Sequence, residues 1–185
     1  MGLFSKIFGQ KKDNKNEDGD ERSVYEQLID LVVVSEELKN DLKEKIKRAF
    51  GEPRSFYDNS NDYTLAERGL KYPADAAQTP KFVFIDTLQD NGEMTELDWK
   101  EEEEMDIRIA LNEIVEAKGY NCSLDEEDSY GDADTGKIIQ WIDQKELQPA
   151  GYSIALLDIH YDSYVCTIVP SSKRQAVANM FALLK

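Results

Sequence analysis

The segment Asp158-Ile159-His160-Tyr161-Asp162 sets the chain's single histidine between two carboxylates. In an extended strand, residues two apart share a face. Asp158, His160 and Asp162 would then stand side by side, as the donor set of a transition-metal site or of a general acid and base. A metal-dependent hydrolase centred on these three is the enzyme reading. The competing account is a strand that leaves the core and enters a turn, with His160 solvated beside two acids. That account is favoured, since clustered ionisable groups mark sites in only some cases and no HExxH spacing accompanies them.

Oxygen ligands are also dense in the loop 124–136, where Asp125, Glu126, Glu127, Asp128, Asp132 and Asp134 fall within ten positions. A calcium loop of the EF-hand type needs alternating ligands, a glycine at position six and a closing glutamate, and no register here supplies all three. Asp132 and Asp134 are a fragment of such a loop. The simpler account is a solvated loop whose last acids favour the N-terminus of the next helix through its dipole. A divalent cation is compatible with the loop, and no other cofactor is expected.

A third cluster, Trp99-Lys100-Glu101-Glu102-Glu103-Glu104, combines an aromatic with a carboxylate run. Trp99, Glu101, Glu102, Asp125, Glu126, Glu127 and Asp128 together make a candidate protein-contact surface, since tryptophan is enriched among interface anchors. Nucleophilic catalysis finds no support, because any triad would have to use His160 and no GxSxG elbow is present. Neither GxxxxGK[ST] nor GxGxxG occurs to cradle a phosphate.

The charge has a location. Lys plus Arg against Asp plus Glu is 14 to 16 over residues 1–85, 5 to 20 over 86–146 and 3 to 2 over 147–185, so nearly all of the net −16 sits in the middle segment. Such a field repels nucleic acid and attracts cations or basic protein surfaces. The length of 185 residues suits one domain, and 41% hydrophobic with 32% charged residues suits a soluble one. Cys122 and Cys166 lack any metal or redox spacing, no signal peptide is evident, and no apolar run reaches the roughly 20 residues of a membrane span. Free thiols in a cytoplasm are expected.

The elements that must position these groups follow from periodicity. Residues 1–22 are expected to be a flexible tail. Its tip carries Leu3, Phe4, Ile7 and Phe8 with lysines nearby, so membrane contact through residues 1–12 is conceivable, but about two turns of helix are marginal alone. Residues 23–185 are expected to be one domain. Ser23 with Glu26 reads as a capping box and Ser35 as a second N-cap, giving a helical hairpin over 23–50 whose second helix carries Leu38, Leu42, Ile46 and Phe50. Residues 51–80 form an irregular connection, with Thr64 and Glu67 signalling a short helical turn. A sheet-containing core occupies 81–185. The aromatic and β-branched run 81–88 reads as a buried strand. Asp98 reads as the cap of a helix over 99–118, a brief strand is expected at 120–124, and a helix follows over 135–147. Strands at 152–160 and 164–169 joined by a tight turn form a hairpin, and Ser171 or Ser172 caps a last helix. The fold class is α+β: a helical hairpin, a small mixed or antiparallel sheet of about three or four strands packed on helices, and a C-terminal β-hairpin followed by a helix.

At Leu97-Asp98-Trp99-Lys100 and at Asp162-Ser163-Tyr164-Val165 through Pro170, the chain resembles a bacterial family known only as a domain of unknown function. The resemblance implies a shared fold over about residues 81–185 and carries no activity. The function read from the residues is therefore a cytoplasmic, non-catalytic domain that binds a basic protein surface through 86–146, with no role for nucleic acid.

Overall fold

The computed structural model describes residues 15–58, 64–100, 102–125, 127, 129–131, 133–159 and 161–184, and the side chains from residue 21 onward. Helix α1 (Lys15–Val32) begins well before Ser23, the expected cap, and buries Tyr25, Leu28, Ile29 and Val32 at three- and four-residue steps. After a three-residue link, the Ser35 hydroxyl accepts from the Leu38 amide and starts α2 (Glu36–Gly51), which buries Leu38, Leu42, Ile46 and Ala49. The two helices pack on each other as the expected hairpin. The connection to residue 78 contains three short 3-10 turns, and Thr64 caps the one at Leu65–Arg68.

The run 81–88, expected as a strand, lies inside helix α3 (Thr79–Asp90). Pro80 stands in its first turn, where a missing N–H costs nothing, and every residue from Thr79 to Leu88 is buried. A helix enclosed on all sides has no polar face, so the 3.6-residue rhythm that would reveal it disappears. The strand of this region is instead β1 (Thr95–Asp98). Asp98 does not cap a helix at Trp99. Its carboxylate accepts from the Lys100 amide in a turn, and α4 (Glu104–Ala117) starts five residues later than expected. Residues 120–124 form no strand.

Helix α5 (Thr135–Ile142) is capped by Asp134, whose side chain accepts from the Lys137 amide, and it continues into a π-helical turn over Asp143–Leu147. Strands β2 (Tyr152–Leu157) and β3 (Ser163–Pro170) form the hairpin, joined by residues 158–162. Helix α6 (Arg174–Phe181) ends the domain behind a 3-10 turn, and neither Ser171 nor Ser172 caps it; the Ser171 hydroxyl donates to the Tyr152 carbonyl.

The fold is α+β, with one antiparallel sheet of order β1-β3-β2. Thr95 faces Cys166 and Leu97 faces Tyr164 across one ladder; Ile154 faces Ile168 and Leu157 faces Val165 across the other. Alternation along the central strand divides the interior in two. Val165 and Val169 join Leu28, Leu42, Phe84, Leu88 and Phe181 under α1, α2, α3 and α6. Cys166 and Ile168 join Ile107, Leu111, Ile114, Ile138 and Ile142 under α4 and α5. Strand β3 is thus buried on both faces, which accounts for its apolar run, broken only by Thr167, whose hydroxyl donates to the Glu93 carbonyl. None of the described helices is long and apolar enough to cross a membrane.

Candidate functional site

The end of β1, the start of β3 and the end of β2 meet at one corner, because antiparallel pairing brings Asp98 opposite Ser163 and Leu157 opposite Val165. The Trp99 amide extends that ladder by donating to the Asp162 carbonyl at 3.4 Å. A cleft of about 430 Å³ opens there, lined by Trp99, Leu156, Asp158, Tyr161, Asp162 and Tyr164 among others. Trp99 of the proposed contact set and the Asp158/Asp162 pair, which the sequence kept apart, therefore share one depression. Trp99 is 39% exposed, and the Lys100 ammonium stands 3.9 Å from its ring centroid, an arrangement favoured by the negative face of the indole. Behind the cleft, Lys81 of α3 is buried in the field of Asp158; burial lowers its pKa, and Asp158 works against that shift.

His160, Glu101, Glu126, Asp128 and Asp132 lie outside the described residues. Among the described residues, no three His, Cys, Asp or Glu side chains are grouped to hold a metal ion. Asp134 is committed to capping α5 and to an ion pair with Lys137 at 2.7 Å. Glu102 turns back on β1, its carboxylate accepting from the Asp98 amide at 3.1 Å. Glu127 and Asp125 are exposed.

The acidic loop is held by a residue that periodicity did not flag. Arg108 lies on the buried stripe of α4 and is 1% exposed. Its Nε donates to Glu104 at 2.8 Å, its two terminal nitrogens grip Glu146 at 3.0 and 2.9 Å, and Nη1 also donates to the Asp125 carbonyl at 3.0 Å. Glu104 in turn accepts the amides of Ser129 and Tyr130, and the Tyr130 hydroxyl donates to Glu146. Burial pushes the Glu104 carboxyl up, but the two amides and Arg108 outweigh it and leave the pKa below the ordinary value. So one guanidinium ties the loop to α4 and to the π-helical turn. Among the described residues from 102 to 131, the acids left half-buried or exposed are Glu102, Glu103, Asp106, Glu113, Glu116, Asp125 and Glu127, interrupted on α4 by exposed Met105 and Ile109.

The cleft also depends on a close approach. A β-carbon on Gly136, in the first turn of α5, would stand 2.6 Å from the Tyr164 hydroxyl and 3.2 Å from the ring carbon that bears it. Gly136→Ala is therefore expected to lose about 1 kcal/mol in urea denaturation, overpacking outweighing the gain in helix propensity. In a Tyr164→Phe background, which removes the 2.6 Å contact and keeps the 3.2 Å one, that loss should shrink, and persistence of the full loss would place its cause elsewhere.

The corner and its supports belong to an α+β fold. A family model described as Domain of unknown function (DUF6630) matches residues 15–184, and the chain belongs to that family. No curated protein and no solved structure matches it.

Proposed function

We propose that this chain is a non-catalytic binding domain of the bacterial cytoplasm that receives a basic protein surface on its 86–146 segment. The observations that carry the reading are half-open Trp99, which lines a cleft with Asp158 and Asp162 from beyond that segment, and the face of α4 where exposed Met105 and Ile109 alternate with Asp106 and Glu113. Apolar anchors give a complex its lifetime, while surrounding charge steers the encounter and selects the sign of the partner. Contacts of that second kind weaken as the Debye length falls from about 30 Å at 0.01 M salt to about 8 Å at 0.15 M.

The test is affinity capture from host lysate with wild-type protein and with Trp99→Ala, at low and moderate salt. A basic protein should be enriched on the wild type, released by salt, and reduced by about 10-fold or more on the variant, the loss expected of an interface anchor. Enrichment that ignores both salt and Trp99 would remove the reading.

A further inference from the structure

The register of the sheet says which backbone groups face outward. Tyr152 lies opposite Pro170, which has no N–H, while the Ser171 amide reaches back to the Gly151 carbonyl. Tyr152, Ile154 and Leu156 are thus the residues of β2 whose amides and carbonyls point away from β3. The Ile154 amide confirms the phase, donating outward to the Asp143 carboxylate at 2.8 Å. On the opposite edge, Glu102 caps the Asp98 amide in the same manner. Each sheet edge is therefore closed at one point by a carboxylate.

Two residues past Asp143's reach, that closure ends. Leu156 is 46% exposed, no described side chain caps its amide, and it lines the cleft with Asp158 and Asp162. An unpaired outward amide and carbonyl are a template for another strand. We infer that the occupant of the cleft is an extended basic segment of a partner protein, which adds to β2 at Leu156 and sets a lysine or arginine beside Asp158 and Asp162. A rise of about 3.4 Å per residue places the next side chain on the same face about 7 Å along, within reach of these acids from Leu156. Pairing with a second copy of this chain is opposed by the net charge of −16 that each copy would bring. The inference rests on the binding role proposed above and adds to it the form of the partner.

The probe is an eight-residue peptide alternating valine and lysine, compared with its valine–glutamate counterpart and with two versions N-methylated at either the odd or the even positions. Binding is followed by calorimetry, and the Leu156 amide by hydrogen exchange. The lysine peptide should bind, the glutamate peptide should not, and Leu156 exchange should slow by at least about 10-fold at saturation, as expected when an exposed amide enters a ladder. One N-methylated version should lose about 10-fold or more in affinity and the other should keep it, because a strand turns alternate amides to opposite sides. Equal binding of both methylated peptides with unchanged Leu156 exchange would overturn strand addition and leave the acidic surface standing. No binding of the lysine peptide would overturn both. Asp162→Asn should weaken the lysine peptide without changing the ranking of the two methylated ones, and a change in that ranking would count against the register.

Discussion

Arg108→Met is expected to lower unfolding stability by about 3–5 kcal/mol, the usual cost of removing one member of a buried ion pair. The reason is what remains. Glu104, almost wholly buried, would keep the Ser129 and Tyr130 amides but lose its cation, while Glu146 would lose both of its guanidinium bonds. Against a total stability of about 5–15 kcal/mol, such a loss is a large fraction. Arg108→Lys should recover little, because a single ammonium cannot bridge Glu104, Glu146 and the Asp125 carbonyl in the planar geometry that the guanidinium supplies. Urea denaturation at neutral pH decides the point, and a loss below about 1 kcal/mol, the typical size of a surface pair, would show that the network is solvated.

Lys118→Met is the second large effect, and its signature is in pH. Lys118 follows α4, donates to the Val32 carbonyl at the end of α1 at 2.7 Å, and faces Glu93 at 3.5 Å. Burial lowers its pKa to about 8, against the pull of Glu93; burial raises Glu93, against the pull of Lys118. Since the folded ammonium titrates near 8 and the unfolded one near 10.5, the unfolded chain binds more protons across that window. Wild-type stability should therefore gain from Lys118 as pH rises from 8 to 10.5, at a slope of up to about 1.4 kcal/mol per pH unit. Cys166 works the other way above pH 9, because burial pushes its thiol up to about 12, so the comparison is best made in a Cys166→Ala background.

In Lys118→Met that rise should disappear, and Glu93, left without its cation, should favour the fold more as pH falls toward the carboxylate range. The variant should lose about 3 kcal/mol at pH 7, and adding Glu93→Gln should restore most of it, as removal of both members of a buried pair commonly does. An unchanged slope above pH 8 would exclude Lys118 as its source.

What the sequence revealed depended on contrast between faces. Leu38, Leu42 and Ile46 stand out because charged residues fill the rest of α2, and Ser35 marks its start. The 81–88 run had no such contrast, so aromatic and β-branched content suggested a strand where a buried helix stands. Strand β1 escaped because only Leu97 of its four residues is buried. Arg108, Lys118 and Asp143 were passed over for a related reason: a charge in a sequence reads as surface until its partners are known, and Glu146, Glu93 and Arg174 lie 25 to 38 positions away. Of the cleft residues Trp99, Asp158 and Asp162 were candidates in the sequence and Leu156 was not, and their meeting was hidden because Trp99 and Asp162 are joined only by the register of β1 on β3.

That register also sets an order of events during synthesis. Helices α1, α2 and α3 lie within residues 15–90 and pack on one another. Strand β1, by contrast, pairs with residues 163–166, so Thr95 leaves the ribosome well before Cys166 is made. At about 5–20 residues per second, the interval is roughly 4–14 seconds. Through it the helical half already has most of its own core, while α4 and α5 have theirs without the strand that floors it. A pause in translation just before residue 163 would prolong that half-built state, and a chain truncated there would expose Ile107, Leu111 and Ile138 to any chaperone that selects for unburied aliphatic surface.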